Sequence, residues 1–441
     1  MNTYISTHNH TEFSNLKLID SINRANELID YAYKLGLKGI AITDHDTISG
    51  HVQAWNYYNK RFSDEEKRDF KLILGNEIYL CRGDLTAETH QKGEKFYHLI
   101  LLAKDDIGHE QIRRISAKAW GRAYMKNIMR TPTYSKDLME IVGEDPGHLI
   151  ATTACLGGYC GNMFQANNFD AIEAHLAAMS SLFGYDNFYI ELQPSKQQDQ
   201  IAYNNYMIAK YWDTYRFIFS TDSHYLNLDD QEVHKIFLNS KSSGDREVDS
   251  FYSSAYMMSY EEVKAYFIAQ HIEEEKIERM AQNTLYIGDQ IIGYNLKRTS
   301  VIPRISYVVQ PLDAIYDIWL KEYAEETTWI KKVIEHNDKA DIHLLNMVAQ
   351  NWHKVEKDKE RNYVIELDYE FEQLHKISLE LKQTMSDYFI TMAKMIDIMW
   401  EKADSIVGPA RGSAASSLIN YLLGITQIDP LAQPVEMPFW R

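Results

Sequence analysis

The amino-acid sequence predicts an α/β protein in which a seven-stranded β/α barrel is followed by a mostly helical segment. Short β-rich runs alternate with amphipathic helical runs from the N-terminus to about residue 225. Repeated β-then-α units imply parallel strands, and seven strands are about enough to close a barrel. Metal-binding residue types fall in or just after most of these runs, and from residue 226 onward the pattern becomes helical.

Each predicted strand is a short extended or apolar run. The first is residues 4–10, Tyr-Ile-Ser-Thr-His-Asn-His. The other six predicted strands are residues 39–43, 71–74, 96–103, 149–152, 188–191 and 217–220. Apolar residues at helical spacing predict helices between most of them, including residues 22–35, which end at Gly36, and residues 51–62.

Length and composition limit the class of protein. A chain of 441 residues is expected to form two or three domains. The sequence has no apolar run of about 18 residues and no basic-then-apolar leader after Met1, so we expect a cytoplasmic protein without a membrane span. Three cysteines, Cys81, Cys155 and Cys160, cannot form a disulfide framework, and their spacing is not that of a zinc finger.

The formal net charge of −17 limits how this chain can contact nucleic acid. Binding over a whole surface depends on lysine and arginine side chains that neutralise phosphates, which an acidic chain does not favour. We therefore expect any contact with DNA to be local. Solubility is the simpler interpretation of the acidity.

Residues that can bind metals follow the predicted strands. His8 and His10 lie two positions apart in an extended run, so their side chains point the same way and can chelate one ion. The other candidates are His45 after the second strand, Glu77 after the third, His98 in the fourth, Cys155 after the fifth, and Asp222 and His224 after the seventh. In a parallel β/α barrel the C-terminal strand ends open onto one face. We therefore expect these side chains to converge in one cleft.

Each of these residue types also has an ordinary role. A cysteine such as Cys155 is commonly a small buried hydrophobe, and Asp44 is assigned to a strand end or helix cap and not to a metal. Other histidines, including His51, His109 and His234, are assigned to surface or core positions. The agreement between ligand type and strand-end position favours a metal site for the cluster as a whole.

The second half of the sequence predicts helices. Residues 226–290 contain three, at 229–240, 260–267 and 271–286, and residues 291–311 show no clear periodicity, so we place a domain boundary near residue 290. The two expected domains are therefore residues 1–290 and 291–441. Long helices are predicted at 312–335, 341–361 and 366–400, and the mixed charges of the first two are most simply a solvated face.

A Gly-Ser loop lies near the C-terminus. Residues 407–415, Val-Gly-Pro-Ala-Arg-Gly-Ser-Ala-Ala, lead into a predicted helix that ends at Gly424. Unpaired N–H groups and the positive end of the helix dipole make such a loop a ready phosphate site, and Arg411 adds a fixed charge. The ordinary alternative is a simple helix start.

The order of the candidate ligands resembles that of the PHP (polymerase and histidinol phosphatase) domain. The residues that carry the resemblance are His8-x-His10, Thr43-Asp44-His45, Gly75-Asn76-Glu77, His98, Cys155-Leu156-Gly157-Gly158 and Asp222-x-His224. The sequence most resembles the PHP domain at the N-terminus of bacterial DNA polymerase III alpha subunits, which are C-family polymerases. This resemblance implies a distorted seven-stranded barrel that holds up to three divalent ions, with zinc, manganese, iron and magnesium as the candidates.

One position departs from the PHP pattern. The family usually has a further acidic ligand shortly after the first histidine pair, and Lys17 follows Ser14-Asn15-Leu16 at that place. The nearest acid downstream is Asp20, which we take as the corresponding ligand. Clustered divalent ions suit phosphoester hydrolysis, so the resemblance implies a phosphoesterase or 3′ to 5′ exonuclease site.

The Gly-Ser loop and the residues after it resemble the start of the polymerase III alpha palm. The resemblance implies that Arg411, Gly412 and Ser413 contact the triphosphate of the incoming nucleotide, although Ala410 and Ser416 replace common glycines. The family's metal-binding palm aspartates come after this loop and lie beyond the last residue of this sequence. We therefore expect no DNA synthesis by this chain alone. We expect DNA and dNTP as partners once a second polypeptide supplies the rest of the palm, the fingers and the DNA-binding parts, unless the chain is a fragment.

Two other functions fit part of the sequence. One is a free-standing metal-dependent phosphatase of the histidinol phosphatase kind, which has no need of the Gly-Ser loop region. The other is a structural scaffold whose ions only stabilise the barrel.

Overall fold

Two units, each with its own hydrophobic core, make up the chain. The computed structural model describes residues 3–17, 19–81, 95–125, 129–240, 251–297 and 301–433. The first unit is residues 1–297 and the second is residues 298–441.

The first unit is built on a curled mixed sheet. Its strands are β1 (Ile5–Ser6), β2 (Gly39–Ile42), β3 (Lys71–Cys81), β4 (Tyr97–Ala103), β5 (Tyr124–Met125), β6 (Met129–Arg130), β7 (Thr133–Tyr134), β8 (Leu149–Thr152), β9 (Phe188–Leu192) and β10 (Arg216–Phe219). The main sheet has the order β1-β2-β3-β4-β8-β9-β10, and β7 pairs with β3 beside this path. The β5–β6 pair forms a separate sheet.

The two ends of the main sheet meet just beyond β1 and β10. Asn9 and Ser223 form a parallel bridge there, and the His10 N–H donates to the Ser223 carbonyl at 2.9 Å. The seven strands of the main path therefore curl into the expected distorted barrel. Alternate residues of β2 face opposite sides, since Ala41 packs in an inner cluster and Ile40 packs in the larger cluster beneath the helices.

The fourth strand corrects the expectation that all strands are parallel. β4 runs antiparallel to both β3 and β8, and its first residue, Tyr97, pairs with Leu80 near the end of β3. The chain therefore turns back after β3 and does not cross over to a parallel position. Because of this reversal, the start of β4, where His98 lies, falls at the same mouth as the C-terminal ends of the parallel strands.

Two predicted strand lengths were also wrong. β3 continues to Cys81, so Glu77 lies inside a strand instead of after one, whereas β1 is only Ile5–Ser6.

The helices of this unit are Ala25–Lys34, His51–Arg61, Glu66–Asp69, Asp106–Gly121, Ser135–Glu144, Tyr159–Gln165, Phe169–Phe183, Gln198–Tyr211, Gln231–Asn239, Tyr260–Ala269 and Glu274–Asp289.

The second unit is helical in its described part, as expected. Its helices are Ile315–Glu322, Thr328–His336, Lys339–Gln350, Glu360–Leu381, Ser386–Glu401 and Leu418–Leu422. The predicted helices 312–335, 341–361 and 366–400 each contain a break. The last break begins at Lys382, whose φ of 52° ends one helix before the next begins. Within the described residues, no helix combines the length and apolar character needed to cross a membrane.

Candidate metal centre

All nine side chains that the sequence assigns to metal binding come together at one mouth of the barrel. Three sets, in each of which the potential ligand atoms lie within 4.8 Å of one another, are His8, His10 and Asp222; His10, His45 and His224; and Glu77, His98 and Cys155, and the first two sets share His10. The ninth residue, Asp20, contacts the second set: its Oδ2 lies 2.7 Å from His45 Nε2 and 3.1 Å from His224 Nε2.

The first set is organised around one aspartate oxygen. Asp222 Oδ1 lies 3.2 Å from His8 Nε2 and 3.0 Å from His10 Nε2, and the two histidine nitrogens are 3.1 Å apart. Three donor atoms directed at one small space are the arrangement that chelates a cation. Asp222 has a φ of 48°, so the chain turns sharply just after β10 and delivers Asp222 and then His224 to the mouth.

Glu77 links the first set to the third. Its Oε1 lies 2.8 Å from His98 Nδ1 and 3.4 Å from His8 Nε2, and its Oε2 contacts His45 Nδ1. Cys155 Sγ lies 3.4 Å from His98 Nδ1. Glu77 therefore contacts a histidine of each set, so the three sets form a single centre whose residues would hold neighbouring cations.

The chemistry of the cluster fits divalent cations. Both Glu77 oxygens and Asp222 Oδ1 are buried and receive no hydrogen bond from any described residue, although imidazole nitrogens lie close. Buried carboxylate oxygens without donors are costly unless a cation compensates their charge. The donor set of imidazoles, carboxylates and one thiol is of the kind that zinc, manganese and iron take.

The titration behaviour of the cluster reflects its opposed charges. Burial raises the pKa of Glu77, but the neighbouring His98 and His45 outweigh burial and hold this pKa well below its ordinary value. Burial lowers the pKa of His45, whereas Glu77 and Asp20 raise it, with a net value of about 10. Burial, His45 and His224 together lower the pKa of His10 to about 3. Carboxylates that stay ionised and a histidine that stays neutral are the forms that bind cations.

Glu191 is the main residue of this centre that sequence analysis missed. It lies in β9 with 1% of its surface exposed, and its Oε1 is 2.8 Å from His8 Nδ1. The hydroxyls of Thr152 and Ser220 donate to the same carboxylate. A carboxylate behind a ligating histidine fixes the ring and its tautomer. The available signal was an acid at the end of the otherwise apolar predicted strand 188–191.

Other positioning contacts also come from outside the predicted set. Ser14 Oγ lies 3.0 Å from His10 Nδ1 and donates to Asp44 Oδ1 at 2.8 Å. Asp44 therefore supports the centre through hydrogen bonds, and its assignment to a role other than metal ligand stays a prediction. His234 was assigned an ordinary role, but its Nε2 lies 2.6 Å from the Asp20 carbonyl oxygen.

Lys17, at the position where the PHP pattern has an acid, is buried in a polar niche beside the centre. Its Nζ donates to Asp46 Oδ2 at 2.7 Å and to Thr131 Oγ1 at 2.7 Å, and lies 3.2 Å from the Tyr79 ring centroid. Burial lowers the pKa of Lys17, and Asp46 opposes that shift. The acid that reaches the histidines is Asp20.

The Gly-Ser loop differs from its expected geometry. Arg411, Gly412 and Ser413 are exposed, and a short 3₁₀ helix, Gly412–Ser416, precedes the helix Leu418–Leu422. The expectation of unpaired N–H groups at this helix start was wrong. The N–H groups of Leu418 and Ile419 and the Ser417 hydroxyl all donate to the buried Glu370 carboxylate, with Ile419 N at 3.0 Å and Ser417 Oγ at 2.9 Å. Nucleotide binding by Arg411, Gly412 and Ser413 stays a prediction.

Two segments of the chain match known families. Residues 6–195 match the PHP domain, and residues 342–441 match the bacterial DNA polymerase III alpha NTPase domain. The barrel and most of its clustered side chains thus lie in the segment that matches the PHP domain. The chain as a whole corresponds to the N-terminal region of DNA polymerase III alpha-type proteins.

Similarity to DNA polymerases extends over nearly the whole chain. A DNA-directed DNA polymerase of Bacillus phage SPbeta is 36% identical over 99% of this chain, and the DNA polymerase III subunit alpha of Aquifex aeolicus (strain VF5) is 26% identical over 97%. The chain covers 35% and 34% of these two relatives, so it spans about a third of their length. Among solved structures, an amidohydrolase from Chromobacterium violaceum is 14% identical with a TM-score of 0.32, covering 50% of this chain and 88% of its own.

Proposed function

We propose that the PHP barrel of this chain hydrolyses phosphoesters, including the 3′ end of DNA, with divalent cations held by the nine residues at its mouth. The observation that carries the proposal is the meeting of three ligand sets at one mouth, where two sets share His10 and Glu77 of the third contacts His8 and His45, with buried carboxylate oxygens that receive no hydrogen bond from the described residues. Divalent cations bound there supply the Lewis-acid chemistry that activates water and offsets charge on a phosphate.

The chain's own residues position this chemistry. Glu191 holds the His8 ring from behind, and Ser14 does the same for His10. The sharp turn at Asp222 directs its Oδ1 between these two histidines. The number of ions, up to three, is taken from the resemblance to the PHP domain, and the cysteine in the third set favours zinc or iron over magnesium at that position.

We further propose that the chain works as part of a DNA polymerase III-type enzyme in the cytoplasm. Its relatives are DNA-directed DNA polymerases, and the matched region covers about a third of each. DNA, dNTP and a polypeptide that carries the remaining polymerase parts are the partners in this proposal. Arg411, Gly412 and Ser413 are its proposed triphosphate contacts.

Metal analysis and a nuclease assay test the barrel's role. The purified chain is expected to contain divalent metal and to remove a mismatched 3′ nucleotide from DNA when manganese is present. His8→Ala and Asp222→Ala should abolish both metal binding and removal of the nucleotide. His353→Ala and Asp64→Ala, which change exposed residues of the same types, are the matched controls and should retain both. A metal-free protein, or activity unchanged by the two site variants, would refute the proposal. Chelation that lowers the melting temperature of a chain without hydrolytic activity would indicate the scaffold role.

A further inference from the structure

A cavity of about 340 Å³ opens beside the candidate metal centre. Its walls come from the segments that follow β9 and β10 and from residues near Phe251. Two of its lining residues adjoin the centre: Gln193 Nε2 donates to Asp222 Oδ2 at 3.2 Å, and Thr221 directly precedes Asp222. Small-ligand sites have volumes of roughly 300–1,000 Å³, so this cavity can take an organic group attached to a phosphate at the centre.

The polar groups of the cavity are mainly neutral amides and hydroxyls. The lining includes four glutamines and one aromatic ring: Gln193, Gln197, Gln198, Gln200 and Phe251. No lysine or arginine belongs to the described lining, and Asp199 is its one charged residue. A substrate with a second phosphate or a carboxylate would find no compensating cation here, so the lining favours a neutral group that forms hydrogen bonds.

A network of buried amides fixes the cavity wall before any ligand binds. Asn204 is fully buried, and its Nδ2 donates to the Gln193 carbonyl at 2.9 Å and to Gln270 Oε1 at 2.8 Å. Gln270 Nε2 donates to the Ser195 carbonyl at 2.9 Å, and Gln200 Nε2 donates to Asn204 Oδ1 at 2.9 Å. Such prior ordering reduces the entropy lost on binding.

We infer that this cavity binds the base of a nucleoside phosphoester whose phosphate lies at the metal centre, an inference that rests on the proposed function. Gln193 and Gln200 use amide N–H groups within the wall, whereas the exposed Gln198 presents an amide donor and acceptor side by side, which matches the paired donor and acceptor of a base edge. Phe251 provides an aromatic surface on which a base can stack. Outside a duplex, an enzyme reads a base by this combination of edge hydrogen bonds and aromatic contact.

Binding of an uncharged nucleoside tests the cavity without metal. Saturation-transfer NMR with thymidine and the metal-free full chain should show saturation transfer to the base protons. In a parallel experiment with 2-deoxyribose as the ligand, no transfer is expected. Phe251→Leu keeps an apolar side chain but removes the ring, so it should weaken the transfer. The matched control is Phe169→Leu, because Phe169 lies on the helix Phe169–Phe183 and is not part of the described lining. Equal transfer in the two variants, or transfer to the sugar alone, would overturn the inference.

Hydrolysis of two matched diesters gives an independent test. Thymidine 5′-(p-nitrophenyl phosphate) and bis(p-nitrophenyl) phosphate share a leaving group and differ in the group that the cavity would hold. The manganese-loaded chain should favour the nucleoside ester in kcat/KM, and Phe251→Leu should reduce this ratio by about fivefold or more, as expected for loss of base stacking. An unchanged ratio of the two kcat/KM values in Phe251→Leu would contradict base binding in the cavity. If neither diester is hydrolysed, the proposed phosphoesterase function fails, and thymidine binding still decides whether the cavity holds a base.

Discussion

Glu370 provides a test of how the second unit is held together. Its carboxylate is fully buried in the helix Glu360–Leu381 and accepts hydrogen bonds from Leu418, Ile419 and Ser417 at the start of the short helix Leu418–Leu422. Burial raises the pKa of Glu370 from 4.5 to about 8, against the opposing effect of these donors. The folded chain therefore keeps a proton on Glu370 at pH 6 that the unfolded chain has lost.

The sign of the resulting pH effect follows from this difference in bound protons. The native state binds more protons than the unfolded state between the two pKa values, so stability falls as pH rises towards 8 and beyond. At pH 6, two units below the folded pKa, retention of this proton stabilises the folded chain by about 3 kcal/mol relative to the chain with Glu370 ionised, and at pH 9 the stabilisation is close to zero. This change corresponds to roughly a hundredfold loss of protection against local opening.

Hydrogen exchange measures this local stability in the full chain. Protection of peptides that cover residues 417–423, corrected for the intrinsic exchange rate, should fall between pH 6 and pH 9 in the wild type. In Glu370→Gln this fall should disappear, although the amide starts from lower protection because it leaves one donor unpaired. Glu380→Gln, an exposed change on the same helix, should behave as wild type. Equal pH slopes in the wild type and Glu370→Gln would show that the three donors keep the carboxyl ionised, which would refute the reasoning.

Three further predictions concern the barrel. Glu191→Gln should weaken metal binding by about 10- to 100-fold, as measured by metal titration, because the neutral amide holds its histidine partner less well. Lys17→Met leaves the buried Asp46 carboxylate without its cation and should destabilise the unit by about 3 kcal/mol in denaturant unfolding, and Lys17→Met/Asp46→Asn should recover most of the loss. In Gly158→Ala the new Cβ would lie 2.2 Å from the Thr153 carbonyl oxygen, so the loop must shift. We expect a lower melting temperature and less bound metal in this variant. Unchanged values of both would contradict the close packing at Gly158.

Residues at strand ends were predictable because their positions depend on the architecture more than on details of packing. Asp222 and Cys155 follow strands that are readable as apolar runs, and all C-terminal ends of parallel strands open at one mouth. His98 reaches the same mouth for a different reason. It begins a strand that runs in the opposite direction, so an incorrect strand direction still gave a correct location.

Residues that position the candidate metal ligands through hydrogen bonds could not be predicted from strand-end positions. Glu191 lies within a strand, and its role depends on contact with His8, which is 183 positions away in the sequence. Its partner hydroxyls come from Thr152 at the end of β8 and from Ser220 just after β10. Apolar periodicity identifies which side of a strand is buried, but it does not identify the polar atom that a buried carboxylate meets across the barrel. The break at Lys382 is similarly hidden, because a left-handed lysine at a helix end lacks the glycine signal.

The contacts of Glu370 also restrict how a nucleotide could bind near the Gly-Ser loop. A phosphate and a buried carboxylate would compete for the same N–H groups of Leu418 and Ile419, which already donate to Glu370. The exposed groups that remain are those of Arg411, Gly412 and Ser413, ahead of the short helix. If a triphosphate binds this segment, its charge is therefore met by the guanidinium and the loop, while Glu370 keeps the helix start in place. Binding of a triphosphate analogue that is lost in Arg411→Ala but retained in Glu370→Gln would agree with this division, and the opposite pattern would contradict it.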